Sequence, residues 1–595
     1  VGRLEELLAT AALVAMAALP IAEGLLRWLF GVGIPGVGPF VQHLTLWVGF
    51  LGAALAAREE KLLALGTTQL LPERWRRRAA LLSSTVAAAV SALLARASLD
   101  LVLIERRGGV EIAAGVPVWV GQLVMPAGLA LIALRLVWRA SAGWRGRLVA
   151  LAGLLAGLWL ARHPLSIEGM PAWPWIALLV ASTALGGPIF ATLGGAAALL
   201  FLLDGVPAAA VPVATYELSV SPMLPAIPLF TLAGFLLAEG DASRRLLRVF
   251  RALVGWLPGG TAVVCAAVCA FFTTFTGGSG VTILALGVLL YEALRRDGYA
   301  ERFSLGLLTG AGSLGLLFPP ALPLILYGIV AAQPIEDLFV GGLLPGVLLV
   351  ALVAAWGVRE GLRSGVGRRP FDRREALAAV WAAKWELALP VVVLVSMLSG
   401  FATPVEAAAL AAVYALVAQL VVHREVAVGA DLLRVLRECV VLVGGVLLIL
   451  GMAKGLTSWM VDALIPTRAL EWVQSFIDSQ LVFLLCLNLF LLLVGCLMDI
   501  FSAIVVVVPL IVPLGAAYGV DPVHLGILFI ANLELGYLTP PVGLNLFLAS
   551  YRFDKPLLEV WRAALPPLAI LAVGVLLITY LPVLTTGLVG WWSGS

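Results

Sequence analysis

The sequence predicts an all-α polytopic membrane protein. It would comprise a four-helix unit, a linking helix, and a larger part made of two inverted repeats, each with a re-entrant hairpin and a broken helix. Three observations predict it. The chain is 62% hydrophobic and 12% charged, with a mean hydropathy of +1.06, a balance found in membrane spans rather than in a soluble domain. The pattern Gly-x-x-x-Pro-Pro occurs twice, as Gly315–Pro320 and Gly536–Pro541, each inside an apolar run long enough to cross a bilayer, roughly 20 residues. Basic residues flank the two copies on opposite sides, the mark of an inverted-topology repeat.

The same composition excludes several classes. A net charge of +3 is too small to suggest nucleic acid. The five cysteines (Cys265, Cys269, Cys439, Cys486 and Cys496) lie in or beside apolar runs, without a CxxC or a nearby histidine, so neither a disulfide framework nor a zinc site is expected. No G-x-x-x-x-G-K-[ST] loop is present, hence no nucleotide motor. The N-terminal run reads as a retained first helix rather than a cleaved signal.

In residues 1–140, four apolar segments are expected at Leu7–Phe30, Phe40–Ala57, Ala79–Leu103 and Val116–Val137. Arg58, Lys61 and Arg74–Arg78 follow the second, and Arg139, Arg145 and Arg147 follow the fourth, so both ends of this unit are cytoplasmic. In the linker 141–170, Leu148–Ala161 is apolar but short for a span at about 14 residues. It must cross all the same, because the remainder fits its charge pattern only from an outside start. Trp144 and His163 at the interfaces, or local thinning, would extend its reach.

In 171–595 the repeats are about 174–358 and 386–584. The first has segments at Pro174–Gly187, Pro188–Leu203 and Pro225–Ala238, then the basic amphipathic stretch Arg244–Arg251. Gly260–Leu294, interrupted at Thr276–Gly280, has basic flanks on both sides and reads as a hairpin open to the cytoplasm. The broken helix Phe303–Val330 and the span Leu338–Val358 complete this half, before a basic loop of six arginines at Arg359–Arg374. The second has segments at Glu386–Gly400, Val405–Val422 and Val440–Met452, an amphipathic stretch near Asp462–Gln480, and an outward-opening hairpin at Leu481–Ala517. The broken helix Val523–Ser550 and a last span at Ala564–Leu584 follow.

Two prolines in succession remove ladder donors and clash with the preceding turn. Opened backbone is tolerated in hydrocarbon only where protein or a solvated cavity receives it, so paired breaks point to a transporter's binding site. Freed carbonyls and hydroxyls suit a hard monovalent cation, and half-helix N-termini suit an anion. The first tip offers Gly277, Gly278, Ser279 and Thr282, and its partner helix offers Gly312, Ser313 and the Pro319-Pro320 break. The second tip offers Asp499 and Ser502; its partner offers Asn532, Gly536, Thr539, Pro540, Pro541, Gly543 and Asn545. The expected cation set is Gly277, Gly278, Ser279, Thr282, Gly312, Ser313, Asp499, Ser502, Gly536 and Thr539. The expected substrate set is Pro319, Pro320, Asn532, Pro540, Pro541, Gly543 and Asn545. Asp499 and Glu534 are carboxylates deep in apolar sequence, where charge is expensive, and are candidates for cation ligand or proton carrier. Thr403–Glu406 reads as a structural capping box, and Lys454 as a snorkelling lysine.

A competing class is an intramembrane serine protease, since Gly277–Gly280 satisfies G-x-S-G. That chemistry needs a general base beside Ser279, whereas His43, His163, His423 and His524 all fall at segment ends or boundaries. A stand-alone sodium/anion symporter of similar inverted-repeat design is the other alternative.

Ala226–Phe230 with Ala233-Gly234, Leu314–Pro320 with Tyr327-Gly328, Phe401–Ala409 and Leu538–Phe547 resemble the large membrane subunit of the tripartite ATP-independent periplasmic transporters. Residues 1–140 resemble the small membrane subunit more loosely, in their four helices and Ala57-Arg58-Glu59. The resemblance implies a fused permease of the bacterial inner membrane that imports an organic acid such as sialic acid, a dicarboxylate or a keto acid. It implies sodium as the coupling ion, no other cofactor, and delivery by a separate periplasmic substrate-binding protein. It also implies an elevator mechanism, with hairpins and broken helices moving against a scaffold in membrane lipid. Sodium-site regions then fall at Gly277–Thr282 with Gly312-Ser313, and Asp499–Ser502 with Gly536–Pro540. Glu534 stands where many relatives carry an apolar residue.

The extra crossing is testable by cysteine labelling in a Cys-free background. Ser141→Cys should react only from the cytoplasm and Ser166→Cys only from the periplasm; labelling of both from one side would exclude a span between them.

Overall fold

The computed structural model describes residues 2–64, 72–141, 143–163, 167–366, 370–540 and 543–593. Ser166 and Pro541, and within the basic loop Arg359–Arg374 the arginines Arg368 and Arg369, lie outside them. The helices run in chain order as α1 (Gly2–Phe30), α2 (Val37–Glu59), α3 (Glu73–Gly108), α4 (Val118–Gln122), α5 (Val124–Arg139), α6 (Trp144–Arg162), α7 (Trp173–Ala184), α8 (Ile189–Leu203) and α9 (Ala210–Ser219). Next come α10 (Ala226–Glu239), α11 (Ala242–Val254), α12 (Gly260–Thr276), α13 (Ser279–Arg296), α14 (Glu301–Ala311), α15 (Leu322–Ala331), α16 (Ile335–Arg363), α17 (Arg373–Ala382), α18 (Lys384–Leu398) and α19 (Pro404–Val417). The chain closes with α20 (Ala430–Asp462), α21 (Ile465–Gln474), α22 (Gln480–Leu497), α23 (Ile500–Ala517), α24 (Pro522–Gly536), α25 (Leu544–Phe553), α26 (Leu557–Tyr580) and α27 (Val583–Ser593). Among the described residues eleven helices are long and apolar enough to cross a bilayer, or up to thirteen if two bent pairs each count as one span. The chain is an all-α polytopic membrane protein.

Several elements depart from the sequence reading. Leu148–Ala161 extends to the 19 residues of α6, from Trp144 to Arg162. Val440–Met452 becomes the 33-residue α20. Its charged first turns lie outside the expected apolar segment, and Arg437 there donates to Glu59 at 2.8 and 2.5 Å, so the charge is met within the fold and the helix continues. The expected last span Ala564–Leu584 breaks before Pro582, which cannot donate to a helical ladder, and α27 follows. The short helices α9 and α17, and a small antiparallel hairpin of β1 (Glu111–Ala113) and β2 (Val116–Pro117), had no counterpart in the sequence reading. The capping box is present: Thr403 N–H donates to Glu406 at 2.9 Å and Glu406 N–H to Thr403 Oγ1 at 3.3 Å.

The chain divides into two compact units, Val1–Leu229 with Leu433–Arg468, and Phe230–Leu432 with Ala469–Ser595. In the first unit, α3 packs on α5, α6 and α8. The α3–α6 seam rests on Gly153 and Gly157, where an added Cβ would lie 2.6 Å from Thr85 Cγ2 and 2.0 Å from the Ala89 carbonyl. Small residues four apart let two backbones approach closely, a standard source of helix pairing in bilayers. Gly52 on α2 and Gly444 on α20 meet in the same way. Arg135 pairs with Glu5, which is 4% exposed and would otherwise be a lone buried charge.

The second unit holds both hairpins and both broken helices. At its α10–α11 elbow, bent by 77°, Arg245 donates to the buried Glu386 at 2.8 and 2.6 Å and also pairs with Glu425. Burial alone would raise the Glu425 carboxyl, but hydrogen bonds from Arg245 and from Asp241 N–H hold it below its usual range.

The α3–α6 seam makes one prediction. Gly157→Val should destabilise the protein by about 1–3 kcal/mol through overpacking, read as a lower thermal unfolding midpoint in detergent. Gly24→Ala, with nothing within 4 Å of its added Cβ, should stay near wild type.

Candidate functional site

In each repeat the broken helix is seated on the first limb of its hairpin by the glycine of the Gly-x-x-x-Pro-Pro pattern. A Cβ on Gly315 would lie 2.1 Å from the Ala270 carbonyl and 2.6 Å from Thr274 N, both on α12. A Cβ on Gly536 would lie 2.4 Å from Gly495 Cα and 3.0 Å from Cys496 N, both on α22. Only a residue without a side chain allows that approach.

The first tip turns through Gly277, whose φ of 65° is a left-handed conformation that favours glycine. Its N–H donates to the Thr273 carbonyl at 2.9 Å, and a Cβ there would lie 2.4 Å from Leu322 Cδ1 of α15. Gly278 is extended and opens α13, whose first residue is Ser279. Thr273 Oγ1 lies 2.8 Å from Thr282 Oγ1 and 2.8 Å from the Gly312 carbonyl. Thr274 Oγ1 lies 2.8 Å from the Ala270 carbonyl and 3.2 Å from the Gly315 carbonyl. Carbonyls freed by the break therefore face hydroxyls of the hairpin. Ser313 is buried, with Oγ 3.5 Å from the Gly310 carbonyl. The Pro319-Pro320 peptide is cis, and Pro319 borders an apolar cleft of about 350 Å³ with Phe250, Phe271, Phe318 and Leu343.

At the second tip, Asp499 caps α23. One carboxylate oxygen accepts from Phe501 N–H at 3.0 Å and Ser502 N–H at 3.1 Å; the other accepts from Ser502 Oγ at 2.6 Å. The structure thus supplies a local reason for this intramembrane carboxylate. Tyr537 Oη accepts from Ile500 N–H at 2.9 Å, and Gly543 N–H donates to the Cys496 carbonyl at 3.2 Å, so the second break is tied to the second tip. Gly543 has φ 43°, with Thr539 O and Tyr537 O within 2.8 and 3.1 Å of where a Cβ would sit. Thr539 Oγ1 donates to the Leu535 carbonyl at 2.9 Å, and Pro540 is exposed.

The two repeats join at the second break. Asn545 Nδ2 donates to the Thr309 carbonyl of α14 at 3.2 Å. Ile283 of α13 shares a core cluster with Leu546 and Ala549 of α25, and Leu548 fills the space beside Gly280. Asn532 belongs to a different arrangement: it donates to Asn488 at 2.7 Å and to the Leu528 carbonyl at 2.9 Å, and Asn488 donates to Thr579 Oγ1 at 3.0 Å. Its amide nitrogen is engaged in bracing helices. Glu534 is 1% exposed, with neither carboxyl oxygen hydrogen-bonded to another described residue.

At the hairpin tip and second break, Ser279 Oγ, on the first residue of α13, and Asn545 Oδ1, in the first turn of α25, are also buried without a partner among the described residues. A buried, unpaired polar atom carries a desolvation cost of about 1–3 kcal/mol, and a ligand that meets it recovers that cost. Thr273, Thr274, Gly495, Tyr537 and Asn488 were not singled out from the sequence. Thr273-Thr274, a pair of hydroxyls one turn before the glycine tip, is the signal that could have found the first two.

Comparison with known proteins assigns the family. Residues 176–584 match the model of the tripartite ATP-independent periplasmic transporter, DctM component, and residues 16–146 match that of the DctQ component. The chain belongs to the tripartite ATP-independent periplasmic transporters. It carries both membrane components, fused. It is 31% identical to the isethionate TRAP transporter permease protein DctMQ of Oleidesulfovibrio alaskensis, over 91% of this chain and 86% of the relative. It is 35% identical to the C4-dicarboxylate TRAP transporter large permease protein DctM of Pseudomonas aeruginosa, over 67% of this chain and 93% of that protein. It is 30% identical to the ectoine TRAP transporter large permease protein TeaC of Halomonas elongata, over 60% and 84%. The family consists of transporters rather than enzymes, which sets aside the protease reading of Gly277–Gly280. With eleven or more apolar helices, this family member is a multi-pass protein of the bacterial inner membrane.

The glycine seats predict a phenotype. Gly536→Ala should force α24 away from α22, lowering stability by about 1–3 kcal/mol and abolishing most uptake while the protein still reaches the membrane. Gly445→Ala, whose added Cβ would meet nothing closer than 3.9 Å, should transport normally.

Proposed function

We propose that this chain is the membrane part of a sodium-coupled importer of a small organic acid, supplied by a separate periplasmic substrate-binding protein. The observation that carries the reading is the symmetric pairing of hairpins with broken helices, with unpartnered buried oxygens of Ser279 and Asn545 at the N-termini of α13 and α25. Names of the relatives support the substrate class, since they specify isethionate, C4-dicarboxylates and ectoine.

In this reading, sodium is held at the first tip by Ser279, Thr282 and backbone carbonyls near Gly277, Gly278, Gly312 and Ser313. A second ion is held near Asp499, Ser502, Gly536 and Thr539. Hydroxyls and carbonyls suffice for a hard monovalent cation, and the Asp499 carboxylate would be shared between the ion and its cap. The acid's carboxylate or sulfonate lies toward the N-termini of α13, α15 and α25, where unpaired N–H groups and the positive dipole end favour an anion. Pro319, Pro320, Pro540 and Gly543 shape those termini, and Asn545 offers its free oxygen to a donor on the substrate. Hairpins and broken helices, sharing backbone seats, move together as the elevator body. Sodium binding at the seats biases that movement, because an ion that ties hairpin to break stabilises the closed body.

Reconstitution in liposomes with a sodium gradient and the partner binding protein tests this reading. Ser279→Ala and Thr539→Val should each raise the sodium concentration for half-maximal uptake several-fold, with normal protein levels, and Asp499→Asn should raise it more. Unchanged sodium dependence in all three variants would remove the ion sites. Uptake at full rate without a binding protein would instead favour a stand-alone symporter.

A further inference from the structure

The amphipathic helix α11 presents arginines on two sides. Arg245 enters the elbow against Glu386 and Glu425, whereas Arg244, Arg248 and Arg251 line a cleft of about 330 Å³ facing α17, with Trp256 at its edge. The acids of that cleft are already engaged. Glu375 accepts two bonds from Arg248 at 2.7 and 3.0 Å, and Asp372 caps α17 by accepting from Arg374 N–H at 2.8 Å. Arg251 differs from its neighbours, because its Nε is buried and has no hydrogen-bond partner among the described residues. Arg251 lines the cleft together with Arg244, whose exposed guanidinium stands 3.4 Å from Asp241, and guanidinium forks match phosphate oxygens bidentately.

The surroundings specify where that phosphate comes from. Leu253 and Trp256, 42% and 49% exposed, continue the surface of α11 beyond the arginines. On the neighbouring pair α17–α18, Trp381 is 71% exposed and Lys384 Nζ stands 3.8 Å from its ring centre. Exposed tryptophan beside basic side chains is the composition of a membrane interface. The positive-inside rule puts this cluster at the cytoplasmic leaflet, where anionic lipids reside and attract basic pockets. The volume, many times the ~30 Å³ share of one water, suits a headgroup better than a single hydrated ion.

We propose that the α11–α17 cleft binds the phosphate headgroup of an anionic phospholipid, with Arg251 and Arg244 as its principal donors. Because α11 runs directly into the first hairpin limb through Gly255–Gly259, the lipid grips the helix that carries that hairpin.

Native mass spectrometry of the full chain, equilibrated with phosphatidylglycerol or phosphatidylcholine, tests the site. Wild type should retain phosphatidylglycerol in preference to phosphatidylcholine. Arg251→Gln should weaken that retention about fivefold, the worth of one basic residue at an anionic surface, and Arg251→Lys should restore part of it. Ala252→Glu, which adds a negative charge to the cleft wall without removing any arginine, should weaken it similarly and carries the test should Arg251→Gln not fold. Arg296→Gln, at an exposed ion pair with Glu292, should leave retention unchanged. Equal retention in wild type, Arg251→Gln and Ala252→Glu would overturn the site, as would equal retention of the two lipids. Displacement of phosphatidylglycerol by an equal concentration of soluble glycerol 1-phosphate would overturn the lipid assignment in favour of a soluble anion.

Discussion

Backbone laid directly against backbone is the contact on which the second unit depends. Gly315 rests on Ala270 and Thr274, and Gly536 rests on Gly495 and Cys496, with no side chain between them. At that separation, polar groups released by each break are within reach of groups on the hairpin. Gly312 and Gly315 carbonyls meet Thr273 and Thr274 hydroxyls, Ile500 N–H meets Tyr537, and Gly543 N–H meets the Cys496 carbonyl. A single methyl at either glycine would lift the break off its seat and leave those groups unpaired in an apolar setting, where each costs several kcal/mol.

This constraint makes the broken helices tolerable and useful together. Most freed groups are satisfied by the paired hairpin, so the break does not unravel. Ser279 Oγ and Asn545 Oδ1 are left over, at two helix N-termini. A ligand that reaches either N-terminus can supply the partner that the fold withholds there. Asp499 contrasts with them: its carboxylate is occupied by its own helix cap, and so contributes structure whether or not an ion joins it.

Charge organises the polar edges of each unit. In the second, Arg245 bridges Glu386 and Glu425 at the elbow that leads into the first hairpin. In the first, Arg437 on α20 meets Glu59 at the end of α2. Such pairs do little for stability when exposed, but removing one partner from a buried pair leaves an uncompensated charge. They specify which elements face each other, while glycine seams such as Gly153 and Gly157 set how closely.

The order of the apolar runs, the duplicated Gly-x-x-x-Pro-Pro pattern and the reversal of basic flanks were determined by the sequence alone. Each depends on local chemistry: proline cannot donate, arginine resists crossing, and a run of apolar residues has a length. The same local logic located the tip at Gly277 and the Thr403–Glu406 capping box. Tertiary structure decided the rest. The 33-residue α20 extends through a charged stretch in which Arg437 meets Glu59 and Glu6 across from it. Glycines Gly495 and Gly157 matter only because another backbone passes within contact, and Asn532 is committed to Asn488 rather than to the break. These outcomes depend on what stands across from a residue, and sequence spacing cannot carry that information between segments hundreds of residues apart.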